Sequence, residues 1–229
     1  MYLNAELLAI DWSRDGRWAA GVVIPERMIA MKHPKAPRLL SDMAIKYGLI
    51  QHYLPRGSTV LDVGCGSGYG TSMLQGFGYN VTGVDVSERN INIAKHRKDI
   101  NFICGKVEDL KETFDAVVSV DMIEHVIQSE QAPLVVAMVD RLKRGGVFLI
   151  DTPLAEVSGR VSKQHLWELS SEDFGRLIQD VGPWSDFDRY YTVRFHNVYT
   201  VCVKNNQAPP SYRDFETIMM DNQIIVATL

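Results

Sequence analysis

The chain has 229 residues, of which 46% are hydrophobic and 23% charged, with a formal net charge of −4 at pH 7. This balance predicts one ordinary globular domain, and the net negative charge argues against a nucleic-acid partner bound through a broad basic face. The longest apolar run, 133–139, is too short for a membrane span, and three scattered cysteines without a basic and apolar leader predict a cytoplasmic protein.

Residues 1–37 contain prolines and tryptophans without regular periodicity, so we expect an N-terminal extension or lid. Apolar residues at helical spacing then predict a helix over 38–54. Strands and helices alternate after this point. The predicted strands are 59–64, 80–85, 100–104, 114–120 and 146–151, and the predicted helices are 68–76, 87–98 and 129–143.

The pattern changes in the last part of the chain. Ser170 caps a further helix, and the β-rich runs 187–193 and 198–203 are separated by a few polar residues, which predicts an antiparallel hairpin. The whole order indicates an α/β, doubly wound sheet whose parallel strands end in that hairpin. We expect the main domain to cover 38–204 and the residues 205–229 to form a C-terminal tail.

A glycine-rich turn follows the first strand of the alternation. The segment Asp62-Val63-Gly64-Cys65-Gly66-Ser67-Gly68 closes an apolar run with an acid and opens into a helix. Glycines let the backbone approach a ligand, and the helix start offers free N–H groups. Asp85 ends the second strand, where a carboxylate could accept from both hydroxyls of a ribose. The spacing is not that of a dinucleotide site, because Tyr69 stands where the sixth position from Gly64 requires a small residue.

This motif resembles motif I of the class I S-adenosylmethionine-dependent methyltransferases, and Asp85 matches their ribose-binding acid. The resemblance covers 38–204 and implies their Rossmann-like, seven-stranded fold. It also implies the cofactor S-adenosyl-L-methionine, whose product is S-adenosyl-L-homocysteine. Gly64, Gly66 and Gly68 would lie along the methionine half of this cofactor, and Asp62 would reach its amino group directly or through water. The other cofactor-binding residues that the resemblance implies are Val86, Val107, Glu108 and Val120.

The segment Asp121-Met122-Ile123-Glu124-His125-Val126 resembles motif IV of a branch that contains ubiquinone-biosynthesis O-methyltransferases and many sugar and natural-product methyltransferases. It implies methyl transfer to an oxygen, or a nitrogen, of a small-molecule or sugar acceptor. Transfer to oxygen needs a base, and histidine suits that role. His125 follows the strand tip, and His165 lies in the loop before the last helix, so both are candidate catalytic residues. The sequence leaves a homodimer open.

Two other interpretations remain. Asp121, Glu124, His125 and His165 resemble the metal-binding set of small-RNA 3′-terminal 2′-O-methyltransferases, and two carboxylates with two imidazoles suit a divalent ion. Asp121 replaces the usual glutamate, however, and the branch shares the E-H-V element without a metal, so we expect a metal-free base. The last interpretation is a protein that binds the cofactor without catalysis and serves as a regulator or partner.

Overall fold

The computed structural model describes residues 7–8, 43–155, 164–195, 198–204 and 219–229. Most of the predicted N-terminal extension lies outside these residues. The described strands form one sheet. Their bounds are β1 (Leu7–Leu8), β2 (Thr59–Val63), β3 (Asn80–Asp85), β4 (Asn101–Cys104), β5 (Phe114–Ser119), β6 (Leu142–Pro153), β7 (Asp186–Phe195), β8 (Val198–Lys204) and β9 (Met219–Thr228).

The sheet order is β1-β8-β7-β9-β6-β5-β2-β3-β4. Strands β2 to β6 pair in parallel, as their near-continuous apolar runs predict. The antiparallel β9 and β7 follow β6. The seven strands from β4 to β7 in this order form the expected methyltransferase sheet, and β8 and β1 extend its edge. The predicted fold class is confirmed.

The described residues give the bounds of five α-helices that connect or flank the strands. Their bounds are α1 (43–48), α2 (Tyr69–Gly76), α3 (Glu88–Ala94), α4 (Gln128–Val139) and α5 (Ser171–Asp180). A 3-10 helix, Leu49–His52, continues α1. The side chains of Ser87 and Ser170 cap α3 and α5 by accepting from the backbone N–H groups of Asn90 and Asp173, which satisfies donors that a helix start leaves free.

The strand that enters the sheet next to β6 differs from the expectation. The runs 187–193 and 198–203 do pair antiparallel as β7 and β8. The strand inserted between β6 and β7 is β9, however, so the expected tail over 205–229 supplies part of the domain. Its residues alternate between the two apolar cores, with Ile224 and Val226 buried in one and Ile225 in the other. A short apolar run predicts a strand but not its partner, because pairing depends on contacts distant in sequence.

Helices cover both faces of the parallel strands, and each face has its own apolar core. The carboxyl ends of β2 to β5 therefore meet at one open edge, which is where such sheets bind ligands. No helix of the described residues is both long and apolar enough to cross a lipid bilayer.

Candidate active site

The glycine turn after β2 requires a backbone that other residues rarely adopt. Gly64, Gly66 and Gly68 have φ angles of 72°, 53° and 81°. A Cβ at Gly64 would collide with the Met122 side chain, and one at Gly68 would lie 2.7 Å from Phe102. A Cβ at Gly66 would meet no atom within 4 Å. Gly66 is therefore the glycine of this turn that borders open space.

Gly66→Ala should weaken binding of S-adenosylmethionine by about tenfold or more, because the new methyl group would enter the open space where we expect the cofactor to approach the backbone. The left-handed backbone should cost about 1–2 kcal/mol of stability. Gly64→Ala should lower the unfolding free energy further, because its Cβ would collide with the Met122 side chain. Calorimetry and thermal unfolding measure the two effects, and unchanged affinity in Gly66→Ala would place the cofactor elsewhere.

Asp85 connects β3 to the glycine turn. One carboxylate oxygen accepts from the backbone N–H of Gly66 at 2.9 Å, and the other accepts from that of Ser87 at 2.8 Å. Each oxygen retains a second lone pair for a ligand hydroxyl. The residue also lines the cavity described below, so its position fits the predicted contact with a ribose.

Asp62 lies beneath the turn and not on the cavity wall. It is fully buried and accepts from the hydroxyl groups of Tyr47 at 3.2 Å and Thr71 at 2.6 Å. The expected contact with the cofactor amino group, directly or through water, stays a prediction: the two oxygens already tie α1 and α2 to β2, and each keeps a second lone pair. Burial raises the pKa of Asp62 to about 6, against the opposing effect of the two hydroxyl donors.

This raised pKa predicts a pH-dependent stability of the ligand-free protein. Because the folded state holds the Asp62 proton more tightly than the unfolded chain, the unfolding free energy should fall as pH rises from about 4 through 6. The contribution is at most about 3 kcal/mol. Denaturant titrations at pH 4 and pH 7 measure it. Asp62→Asn should show a shallower pH dependence, and an unchanged slope would contradict the assignment.

A cavity of about 820 Å³ opens at the carboxyl ends of β2 to β5. Its lining joins residues that the sequence analysis singled out from separate motifs. These are Gly64, Gly66, Asp85, Val86, Val107, Glu108, Asp121 and His125. Gly68, Val120, Glu124 and His165 are not on this wall. The apolar side chains of Val86, Val107 and Leu134 also line the cavity, and such surfaces suit planar rings.

The segment after β5 turns sharply, so that Asp121, Met122 and His125 line the cavity while Ile123 and Glu124 are buried. Asp121 has a φ of 50°, and Ile123–His125 forms a 3-10 helix. Glu124 points inward, is 1% exposed and accepts from Thr152 at 3.2 Å. Burial, with the nearby Asp121 carboxylate, raises the pKa of Glu124 to about 7.

His125 and His165 lie side by side although they are far apart in the sequence. His125 and Gln164, the residue before His165, are 39 positions apart. The two rings are in edge contact with centroids 5.0 Å apart. Nδ1 of His125 lies 2.9 Å from the carbonyl oxygen of Gln164, and Nδ1 of His165 lies 2.5 Å from a Glu168 oxygen. Because these oxygens accept, each Nδ1 carries the hydrogen, and in the neutral form of either ring Nε2 is the nitrogen that can take a proton.

The backbone holds the His165 segment against the 3-10 helix. The carbonyl oxygen of Glu124 accepts from the backbone N–H groups of Leu166 at 2.7 Å and Trp167 at 3.2 Å. Gln131 of α4 also donates to the Trp167 carbonyl at 3.0 Å. The two histidines are thus supported by rigid elements on either side.

The proposed metal set is only partly assembled in the described residues. Glu124, His125 and His165 have ligand atoms within 4.8 Å of one another. Asp121 instead accepts from the Lys46 ammonium at 2.7 and 2.6 Å. A divalent ion could use the first three residues, whereas the fourth already has a cationic partner.

Sequence reasoning missed Lys46, Asp151 and Glu168. Lys46 lies among apolar residues of α1, where a lysine is usually a solvated side chain. Asp151 is the last residue of a predicted strand, as Asp85 is, so its place at a strand end was a usable signal. Glu168 is three residues after His165 in a loop, and no periodic pattern marks it.

Comparison with known proteins agrees with this geometry. Residues 61–150 match the family model described as a methyltransferase domain. Ubiquinone biosynthesis O-methyltransferase, mitochondrial, from Mus musculus is 35% identical over 154 residues, which are 55% of this chain and 41% of that protein. The corresponding enzyme from Coxiella burnetii (strain Dugway 5J108-111) is 32% identical over 126 residues, 52% of this chain and 53% of that protein. The chain spans about half or less of the length of such curated relatives.

Solved structures share the fold at low sequence identity. A SAM dependent methyltransferase from Archaeoglobus fulgidus superposes with a TM-score of 0.63 at 14% identity, covering 82% of this chain and 94% of the other. Magnesium protoporphyrin IX methyltransferase from Synechocystis PCC 6803 with bound SAM gives 0.56 at 14% identity, with 88% of each chain covered. Residues 61–150 thus match a methyltransferase domain, the described residues share the fold of S-adenosylmethionine-dependent methyltransferases of known structure, and about half of the chain resembles the ubiquinone-biosynthesis O-methyltransferases.

Proposed function

We propose that this chain transfers the methyl group of S-adenosylmethionine to a hydroxyl oxygen of a small aromatic molecule. The observation that carries the proposal is the contact between His125 and His165 next to the cavity that holds the glycine turn and Asp85. The names of the curated relatives favour an oxygen acceptor on a quinone precursor over a sugar. The His125 imidazole on the cavity wall agrees with an acceptor that must lose a hydroxyl proton.

The cofactor supplies an electrophilic methyl group on a positively charged sulfur, and the protein supplies position and a base. Gly66 and Asp85 would hold the cofactor at the strand ends. His125 or His165 would remove the hydroxyl proton at Nε2 as the oxygen forms its bond to the methyl carbon. Transfer of the methyl group from the sulfur to this oxygen would leave a methyl ether, S-adenosylhomocysteine and a proton on the imidazole.

An acceptor panel tests this proposal. The protein is incubated with S-adenosylmethionine and separate pools of dihydroxybenzene derivatives, monosaccharides and aromatic amines. We expect a mass gain of one methylene unit in the phenolic pool, with one S-adenosylhomocysteine formed for each product. Binding of S-adenosylmethionine without turnover in any pool would favour the non-catalytic, regulatory alternative. Methylation of the sugar or amine pool would correct the acceptor class.

A metal-assisted reaction is the second candidate, and the proximity of Glu124, His125 and His165 favours it. A divalent ion bound there would stabilise the acceptor oxygen as an anion. The same assay with EDTA separates the two candidates. Activity that survives chelation supports a histidine base without a metal. Activity that EDTA abolishes and Mn²⁺ or Mg²⁺ restores, with unchanged cofactor affinity, supports the metal-assisted reaction.

A further inference from the structure

Lys46 is a buried cation that joins three elements at the edge of the site. Its ammonium donates to both carboxylate oxygens of Asp121, after β5, and lies 3.1 Å from an oxygen of Asp151 in β6. The Lys46 side chain on α1 is only 5% exposed. Burial alone would lower the pKa of Lys46, but the Asp121 and Asp151 carboxylates raise it above its ordinary value. Lys46 is therefore a permanent positive charge.

Asp121 adopts a conformation that needs support. Its φ of 50° lies in the left-handed region, which is unfavourable for a residue with a Cβ. Its backbone N–H donates to an Asp151 oxygen at 3.1 Å, and its side chain is held by Lys46. The Asp121 side chain remains 43% exposed and lines the cavity. These contacts fix a carboxylate at the cavity wall.

The sheet order indicates which part of the cofactor this carboxylate would face. Strand β2 lies between β3 and β5, so the glycine turn lies between Asp85 on one side and Asp121 on the other. Met122, next to Asp121, also packs against Gly64. If Asp85 binds the ribose, Asp121 is on the side of the methionine half. The donor has a positively charged sulfur in this half, whereas the sulfur of the product is neutral.

We infer that Lys46 is a positioning residue that holds the Asp121 carboxylate towards the methionine half, so that the site prefers the charged donor over its product. The inference rests on the proposed function because it needs the cofactor in this cavity. Lys46 reduces the local negative charge, which by itself would weaken donor binding. We expect the orientation of the carboxylate to outweigh this charge offset, since both Asp121 oxygens accept from this one ammonium.

Calorimetry with S-adenosylmethionine and S-adenosylhomocysteine tests the inference on Lys46→Met, Lys46→Arg and Asp121→Asn. Lys46→Met and Asp121→Asn should each weaken donor binding by about tenfold and product binding by a smaller factor, so the donor-to-product affinity ratio falls. Lys46→Arg should keep most of the wild-type donor-to-product affinity ratio. Lys143→Met is the matched control, because Lys143 pairs with Asp115 at 2.8 Å outside the cavity lining. It should bind both ligands as the wild type does.

Each other outcome is decisive. If Lys46→Met binds the donor as tightly as the wild type or more tightly, Lys46 only offsets charge and the inference is wrong. If Lys46→Met does not fold, Asp121→Asn decides, and an unchanged ratio in that variant overturns the inference. A wild-type protein that binds neither ligand refutes the proposed function itself. Wild-type binding with unaltered ratios in the variants refutes only the role of Lys46.

Discussion

Asp85→Ala should reduce the affinity for S-adenosylmethionine by about a hundredfold or more. The substitution removes the expected acceptor of both ribose hydroxyls, and a hydrogen bond to a charged group contributes about 1.5–3 kcal/mol. Two such bonds correspond to about 3–6 kcal/mol, where 1.4 kcal/mol is tenfold in affinity. The variant also releases the Gly66 and Ser87 N–H groups that Asp85 now anchors. Calorimetry on the purified variant measures the loss.

Glu88→Ala is the matched control for this measurement. Glu88 is an exposed acid in the first turn of α3, three residues after Asp85, and it is not on the cavity wall. Its removal changes the net charge equally but should leave the affinity near that of the wild type. If Asp85→Ala binds as tightly as Glu88→Ala, the cofactor does not use Asp85 and its placement is wrong.

Replacement of the proposed catalytic histidine should lower kcat by about 10²- to 10⁴-fold, the usual contribution of a positioned base. We expect this loss in His125→Ala or His165→Ala, and in the double variant little more than in the worse single variant if the two act as one unit. Affinity for S-adenosylmethionine should change little, because the base contacts the acceptor. Single-turnover methyl transfer, with calorimetry in parallel, separates the two quantities.

His52→Ala provides the control for these histidine variants. His52 is an exposed residue at the end of the 3-10 helix after α1 and does not line the cavity. Its kcat should equal that of the wild type. If both active-site variants also retain full kcat, neither histidine is the base. If they lose cofactor affinity in proportion to kcat, their role is in binding.

The strands at the centre of the sheet could be predicted because each is an apolar run that ends in an acid or a glycine. Asp62, Asp85 and Asp121 mark three of these ends, and parallel strands bring such ends to one edge. Sequence could not show that Asp62 would be covered by Tyr47 and Thr71 while Asp85 stays on the wall. That difference depends on how α1 packs, which local periodicity does not determine.

The contact between Lys46 and Asp121 could not be predicted from the sequence, for a similar reason. Lys46 and Asp121 are 75 residues apart, and a lysine within an apolar helix pattern usually extends to solvent. The pairing arises because α1 packs across the ends of β5 and β6. The contact of the two histidines was easier to anticipate, since both follow strands whose ends meet at this edge.

Strand β9 has a consequence for how the chain folds. It is the last described strand in sequence, yet it lies between β6 and β7, and β8 and β1 connect to the parallel strands through it. Until residues 219–228 have been synthesised and have reached this slot, β6 and β7 each keep an unpaired edge. Pairing between distant segments slows folding, and exposed edges at that stage favour association between chains. Aggregation during refolding should therefore depend on how quickly the final strand inserts, a step remote from the cofactor and the acceptor.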